Sequence, residues 1–301
     1  MIYNSLNEHL KYRFGKKVYK LSLSINVTCP NRDGTLDTRG CIFCSHGGSG
    51  EFAECGDNIT AQIERAKARV AKKAGEGAGY IAYFQSFTNT YGDIDYLERV
   101  FFEALNHPDI VGLSIGTRPD CLGDKVLSLL ERLAKIKPLW VELGLQTIHP
   151  DTVKYIRRGY DTKVYDSAVK RLHGIGAEVV THVILGLPYE TEAMMLDTVA
   201  YACECNTDGI KLQLLHVLKG TDLEKDYVNQ KFKTLTLDGY VKILAKCIEI
   251  LPKKVVVHRI TGDGDKKLLV SPLWSADKKH VLNTINKYFL SNNIEQGTKS
   301  M

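Results

Sequence analysis

Short runs of β-branched and aromatic residues alternate along this chain with amphipathic helical patterns, and this alternation constrains the fold more than any other feature. The runs at 18–27, 80–85, 110–115, 140–145, 178–185 and 209–214 read as strands. Between them apolar residues recur at helical spacing, as in Val126, Leu129, Leu130 and Leu133, or Tyr165, Ala168, Val169 and Leu172. Parallel strands need long crossovers, so six strand–helix alternations predict a parallel sheet with helices outside it. Right-handed crossovers curl such a sheet towards a barrel or a doubly wound slab. In both, ligands gather at the carboxyl ends of the strands. Beyond about residue 215 the pattern changes to a helix near 236–251, a short strand at 254–260 and a last helix near 276–290, which together predict an extension packed on the sheet.

With 301 residues, 44% hydrophobic and 25% charged, the composition is that of a globular chain able to bury a core without covalent staples. The first residues show no apolar leader, and no stretch approaches the length of a membrane-spanning helix, so a cytoplasmic protein with no membrane partner is expected. Thiols stay reduced there, and eight cysteines then point to metal chemistry before disulfides. The net charge of +5 is too small to identify a polyanionic partner. Basic residues do bunch, at Lys11, Arg13, Lys16, Lys17 and Lys20, at Arg65, Lys67, Arg69, Lys72 and Lys73, and at Lys154, Arg157 and Arg158.

Directly after the first expected strand comes CPNRDGTLDTRGCIFC, which places Cys29, Cys41 and Cys44 in a loop rich in Gly, Asp, Asn and Pro. Three thiolates on a four-iron cubane leave one iron free to bind something else. A structural zinc site is the alternative, with His46 or Cys55 as fourth ligand. Phe43, inside the CxxC pair, suits a loop that shields a cluster edge. Cys121, Cys203, Cys205 and Cys247 lie in or beside expected helices and read as small buried hydrophobes.

The other informative stretches also fall at strand ends. GTRPD presents Thr117, Arg118 and Asp120 on a fixed turn. Glu142, Gly144 and Gln146 alternate and so share one face of a central strand, which is costly unless they meet a polar ligand. Strand six and its end offer Lys211, Gln213 and His216. The segment YFQSFTNTY offers hydrogen bonds from Gln85, Ser86, Thr88 and Asn89 and stacking surfaces from Phe84, Phe87 and Tyr91. His258, Arg259, Asp263 and Trp274 are candidates for a substrate wall.

On the three-cysteine loop, the TRPD turn and the E-x-G-x-Q strand, the chain resembles the radical S-adenosylmethionine superfamily over roughly residues 18–215. It is most similar to the branch containing the Elongator catalytic subunit and the coproporphyrinogen dehydrogenase-like enzymes. As a whole it resembles a family of stand-alone bacterial radical enzymes of this chain's length, associated with wobble-uridine modification in tRNA. The gap from Cys29 to Cys41 is longer than in the superfamily's commonest motif, as is usual in this branch.

The resemblance implies an α/β fold: a partial (β/α)6 barrel at 18–220, preceded by a segment at 1–17 and followed by an α/β extension at 221–301. It implies a 4Fe–4S cluster on Cys29, Cys41 and Cys44, with S-adenosylmethionine held near Phe43, Thr117, Arg118, Glu142, Gln146, Arg158 and His182. In this reading Arg158 pairs with the cofactor carboxylate and His182 touches the ribose. It further implies an electron donor such as flavodoxin or ferredoxin, and tRNA as the substrate. Gln85, Asn89, Tyr91, Lys211, Gln213, His216, His258 and Arg259 are the expected substrate contacts. Two rival functions stand beside it: a radical enzyme acting on a small metabolite or tetrapyrrole-like carboxylate, and a zinc-stabilised RNA-binding protein without catalysis.

Overall fold

A computed structural model describes residues 2–300 apart from Ser49, Asp57 and Asp263, so the expected role of Asp263 lies outside the described residues. Helix α1 (Leu6–Phe14) precedes β1 (Val18–Leu23). Five crossover units follow, with α2 (Ile59–Ala74), β2 (Gly79–Phe84), α3 (Ile94–Asn106), β3 (Ile110–Thr117), α4 (Asp124–Ala134) and β4 (Leu139–Gln146). The short α5 (Pro150–Tyr155) and α6 (Thr162–Gly174) lead to β5 (Glu178–Leu185), then α7 (Glu192–Glu204) and β6 (Gly209–Leu214). The remainder holds β7 (Val217–Leu218), α8 (Asp222–Val228), α9 (Leu237–Ile250), β8 (Val256–Arg259), β9 (Leu269–Ser271) and α10 (Lys278–Ser291).

The strands form a curled half-barrel of parallel strands in the order β1-β2-β3-β4-β5-β6-β8. All six strands read from the sequence are present, although the first stops at Leu23 and hands over to the cysteine loop. The seventh comes from the C-terminal part, where Val256 and Val257 pair with Gly209 and Ile210. The small antiparallel pair β7–β9 sits outside this sheet.

Alternation along each strand sorts the side chains. Leu21, Leu23, Phe84, Leu113, Ile115, Val141, Leu143, Val183 and Leu212 face the helices and build the main core. The opposite face looks into the half-barrel. Its amino-terminal end is closed by a small apolar cluster in which Leu10 of α1 meets Val18, Ile81, Trp140 and Val180. Helix α1 thus fills the gap between edge strands β1 and β8, and Ser5 forms a parallel bridge with Val257. Unpaired strand edges invite further pairing, and this helix covers them. A third cluster joins Ile42 of the cysteine loop to Ile156, Ile184, Leu215 and Leu223. No helix among the described residues is long and apolar enough to cross a membrane.

Candidate active site in the half-barrel

Cys29, Cys41 and Cys44 line a single cavity at the carboxyl ends of the strands. Backbone bonds fix the loop that carries them. Arg32 N donates to Cys29 O at 2.8 Å, and Cys44 N donates to Cys41 O at 2.9 Å. Ile42 N donates to Ile156 O at 3.1 Å and Ile42 O accepts from Leu223 N at 3.0 Å, so the CxxC segment is clamped between the α5 end and α8. The Arg157–Asp222 ion pair at 2.7 Å tightens the same junction.

The surroundings of the thiols bear on the two metal readings. Among the described residues, the group of three potential ligands with all donor atoms within 4.8 Å of one another is Glu64, His107 and Asp109, not the cysteines. A tetrahedral zinc with bonds of about 2.3 Å would hold thiolates only about 3.8 Å apart. His46 and Cys55, the candidate fourth ligands, are exposed and do not line the cavity. Burial, then the neighbouring Cys44, pushes the Cys41 thiol up to about 12, and burial raises that of Cys44. Such thiols become thiolates only against a cation. Three thiols lining one cavity, with neither of the expected fourth zinc ligands beside them, fit a polynuclear group better than a closed zinc site.

Below the thiols, the inward faces of the strands carry charge. Glu142 on β4 is fully buried and both of its oxygens are taken. Oε1 accepts from Lys20 Nζ at 2.5 Å and from Ser114 Oγ at 2.8 Å. Oε2 accepts from His182 Nε2 at 2.7 Å and from Lys211 Nζ. Burial alone would raise this carboxyl, but Lys20 and Lys211, helped by His182, hold it well below the usual range. Burial, then Lys211, lowers His182 to about 4, so its neutral ring donates from Nε2 and accepts at Nδ1 from Gln213 Nε2 at 3.2 Å. Burial also lowers Lys211 to about 7 despite Glu142, and the ammonium donates to Tyr83 OH at 3.0 Å.

The wall between thiols and floor is a stack of one aromatic ring and two guanidiniums. Arg118 lies 4.8 Å and Arg158 4.6 Å from the Tyr160 ring centroid. Arg118 holds Asp120 through Nε at 2.9 Å and Nη2 at 2.7 Å, while Nη1 donates to Arg158 O at 3.0 Å. Thr117 shares a hydroxyl contact of 2.5 Å with Thr90, whose own proton goes to Cys121 O, so Thr117 is the donor. Gln146 ends β4 at φ 65°, beside a register shift at Gly144. A Cβ on Gly144 would stand 2.8 Å from Gln146 Nε2 and 3.3 Å from Tyr160 OH, so a side chain there would displace the ends of both.

Most expected site residues therefore meet in one place. Phe43, Gln85, Thr117, Arg118, Glu142, Gln146, Arg158, His182, Lys211, Gln213, His216 and Arg259 all line the cavity. Three expected substrate contacts do not. Asn89 is buried behind the strands, where Nδ2 donates to Phe84 O at 3.0 Å and Gly116 O at 2.8 Å, pinning the loop after β2. Tyr91 lies in a separate outer groove, with its hydroxyl 2.9 Å from Thr35 Oγ1. His258 stands behind Lys20, accepting from Nζ at 3.4 Å, beneath the cavity floor.

Arg158 also differs from expectation. Its guanidinium is 1% exposed as a residue and donates to Leu145 O at 2.7 Å, Thr147 O at 2.6 Å, Tyr160 O at 3.0 Å and Thr162 Oγ1 at 3.0 Å. A group so occupied holds the chain turn that follows β4. Arg158→Lys is expected to cost about 1–3 kcal/mol in denaturant unfolding, because one ammonium cannot serve four acceptors in fork geometry. An unchanged unfolding midpoint would remove this structural role.

As site residues, Ser114, Tyr83 and Tyr160 escaped the sequence reading, and Lys20 reads there only as part of a basic group. A signal existed for Lys20: with Glu142 and Lys211 it puts three charges into strands that are otherwise apolar, and opposite charges at such positions must meet inside.

Comparison with known proteins identifies the family. Residues 25–202 match the family model for the radical SAM superfamily, and 207–290 match that for the radical SAM C-terminal domain. The uncharacterized protein YtqA of Bacillus subtilis is 44% identical over 98% of this chain and 92% of its own length. The tRNA uridine(34) acetyltransferase of Methanocaldococcus jannaschii is 26% identical over 62% of this chain, which covers 34% of that protein. Among solved structures, archaeal Elp3 from Methanocaldococcus infernus superposes with a TM-score of 0.72 at 18% identity, covering 93% of this chain and 64% of that one. The chain belongs to the radical S-adenosylmethionine superfamily, and its cofactors are those of that family, a 4Fe–4S cluster and S-adenosylmethionine.

Proposed function

We propose that Cys29, Cys41 and Cys44 hold the cluster, and that the enzyme remodels the side chain of a modified wobble uridine in tRNA, in the cytoplasm. The observation that carries the site assignment is the convergence of three thiols at the strand ends, directly above a polar, closed half-barrel floor. When bound, the cluster and cofactor supply one-electron cleavage of a sulfonium to methionine and a 5′-deoxyadenosyl radical that takes hydrogen from a C–H bond.

The chain's own residues bind, orient and exclude. Phe43 covers the cysteine side of the cavity. The amide of Gln146, which makes no hydrogen bond among the described residues, is free for the cofactor's polar groups. Thr117 and the Arg118–Tyr160–Arg158 stack form the facing wall, and His182 and Gln213 the lower one. In this reading Glu142 and Arg158 shape the site through neighbours. Flavodoxin or ferredoxin supplies the electron.

Two findings support tRNA. One relative acts, by its name, on tRNA uridine 34. In addition, Lys219, Lys266 and Lys267 are exposed beside the cavity-lining Leu218 and Gly264, and none of the three joins an ion pair among the described residues. The basic clusters read from the sequence suit this less well. Arg65 pairs with Glu54 at 3.0 Å, as does Arg69, Arg13 pairs with Glu178, and Lys20 points into the barrel.

Reversing Lys219, Lys266 and Lys267 together to Glu is expected to weaken tRNA binding and to reduce its dependence on salt by about 2–3 units of log–log slope. Substrate-free cleavage of S-adenosylmethionine should stay intact. The assignment itself is tested by giving the reduced enzyme bulk tRNA from a strain lacking it and reading the nucleosides by mass spectrometry. A mass change confined to a wobble uridine, with 5′-deoxyadenosine formed alongside, is the expected result. Nucleosides identical to wild type in the deletion strain would turn the assignment to a small-molecule substrate.

A further inference from the structure

Two polar side chains of the cysteine loop itself, Asn31 and Arg32, pack beside its sulfurs. Asn31 is 1% exposed. Its Nδ2 donates one N–H to Arg157 O at 2.7 Å and shares the other between Arg158 O at 3.3 Å and Cys41 Sγ at 3.4 Å. The amide is caged: a Cβ on Gly159, whose φ is +84°, would come within 2.7 Å of Asn31 Oδ1. Arg32 donates from Nη2 to Cys44 O at 3.1 Å and to Ser45 O, and its guanidinium lies 5.6 Å from the Phe87 ring centroid. One N–H donor is thus fixed at the Cys41 sulfur and one permanent cation beside Cys44.

We propose that Asn31 and Arg32 are positioning residues that set the reduction potential of the cluster, Asn31 through its N–H at the Cys41 sulfur and Arg32 through its charge beside Cys44. The proposal rests on the ligand assignment made above. Reduction adds one electron, taken from the external donor, to a cluster whose negative charge lies largely on sulfur. A donor N–H and a nearby cation stabilise that added charge, and both act more strongly where water is excluded. The native site is therefore easier to reduce than one lacking either group.

The test is a redox titration of the anaerobically purified full chain, without S-adenosylmethionine, following the electron paramagnetic resonance signal of the reduced cluster. Asn31→Leu removes the donor, and Arg32→Gln removes the charge. Each is expected to lower the ratio of reduced to oxidised cluster at the wild-type midpoint about tenfold, a shift of about 59 mV to more negative potential for a one-electron couple. Arg32→Lys, which keeps the charge, should recover most of the loss. Iron and sulfide contents equal to wild type show that the ligands are intact, which separates this test from failure of the cysteine assignment. If Asn31→Leu binds less iron, the isosteric Asn31→Asp replaces it and is expected to shift the midpoint further the same way. Midpoints unmoved in both the Asn31 and Arg32 variants, at full iron content, overturn the proposal.

Discussion

Replacing Cys29, Cys41 or Cys44 by Ala is expected to remove most of the bound iron and all cleavage of S-adenosylmethionine. Each thiolate holds one iron, and the two alternative ligands read from the sequence, His46 and Cys55, are exposed and do not line the cavity. Cys121→Ala should leave iron content nearly unchanged, since that sulfur lies on the outer groove, and Cys247→Ala likewise, since that sulfur is buried in the main core. Iron analysis and the visible thiolate-to-iron absorption read the outcome. Loss of iron in Cys55→Ala as complete as in Cys41→Ala would sink the three-ligand assignment.

Glu142→Leu should produce the largest loss of stability in the half-barrel. The carboxylate is the counter-ion of Lys20 and Lys211, both inside the barrel, with side chains 15% and 4% exposed. Removing one member of a buried ionic group leaves the others uncompensated, at a cost of about 3–5 kcal/mol in denaturant unfolding. A loss below about 1 kcal/mol, the range of exposed pairs, would show that water reaches the floor.

The same network predicts a pH dependence. The folded value of Lys211, about 7, lies below its ordinary 10.5. Between those values the unfolded chain binds more protons, so stability should rise with pH across that window and Lys211→Met should flatten the rise. The depressed Glu142 works at the other end: its contribution is present above the ordinary carboxyl value and is lost as pH falls through the folded one.

The sequence disclosed the crossover strands because parallel strands buried on both faces need unbroken apolar runs, and it disclosed the cysteine loop because its spacing is local. What escaped depends on where chains meet. VVHR, which is β8, reads as a short strand but is too short to reveal that it extends the sheet beside Gly209. Arg158 and Asn89 are of the residue types that bind ligands, yet both satisfy backbone carbonyls, and nothing local distinguishes the two fates. The basic run on α2 reads as an open surface until Glu54, from the cysteine loop side, is seen to hold Arg65 and Arg69. The link between Lys20, Glu142 and Lys211 spans most of the barrel and exists only once the sheet has curled.

A cluster held by the three thiols is read out most directly by assaying the anaerobically reduced protein for 5′-deoxyadenosine and methionine, with the Cys41→Ala variant beside it. A brown protein that forms both products in equal amounts, and a variant that forms neither, are the expected results. A colourless wild-type protein containing zinc, with no 5′-deoxyadenosine formed under strong reductant, would contradict the cluster assignment.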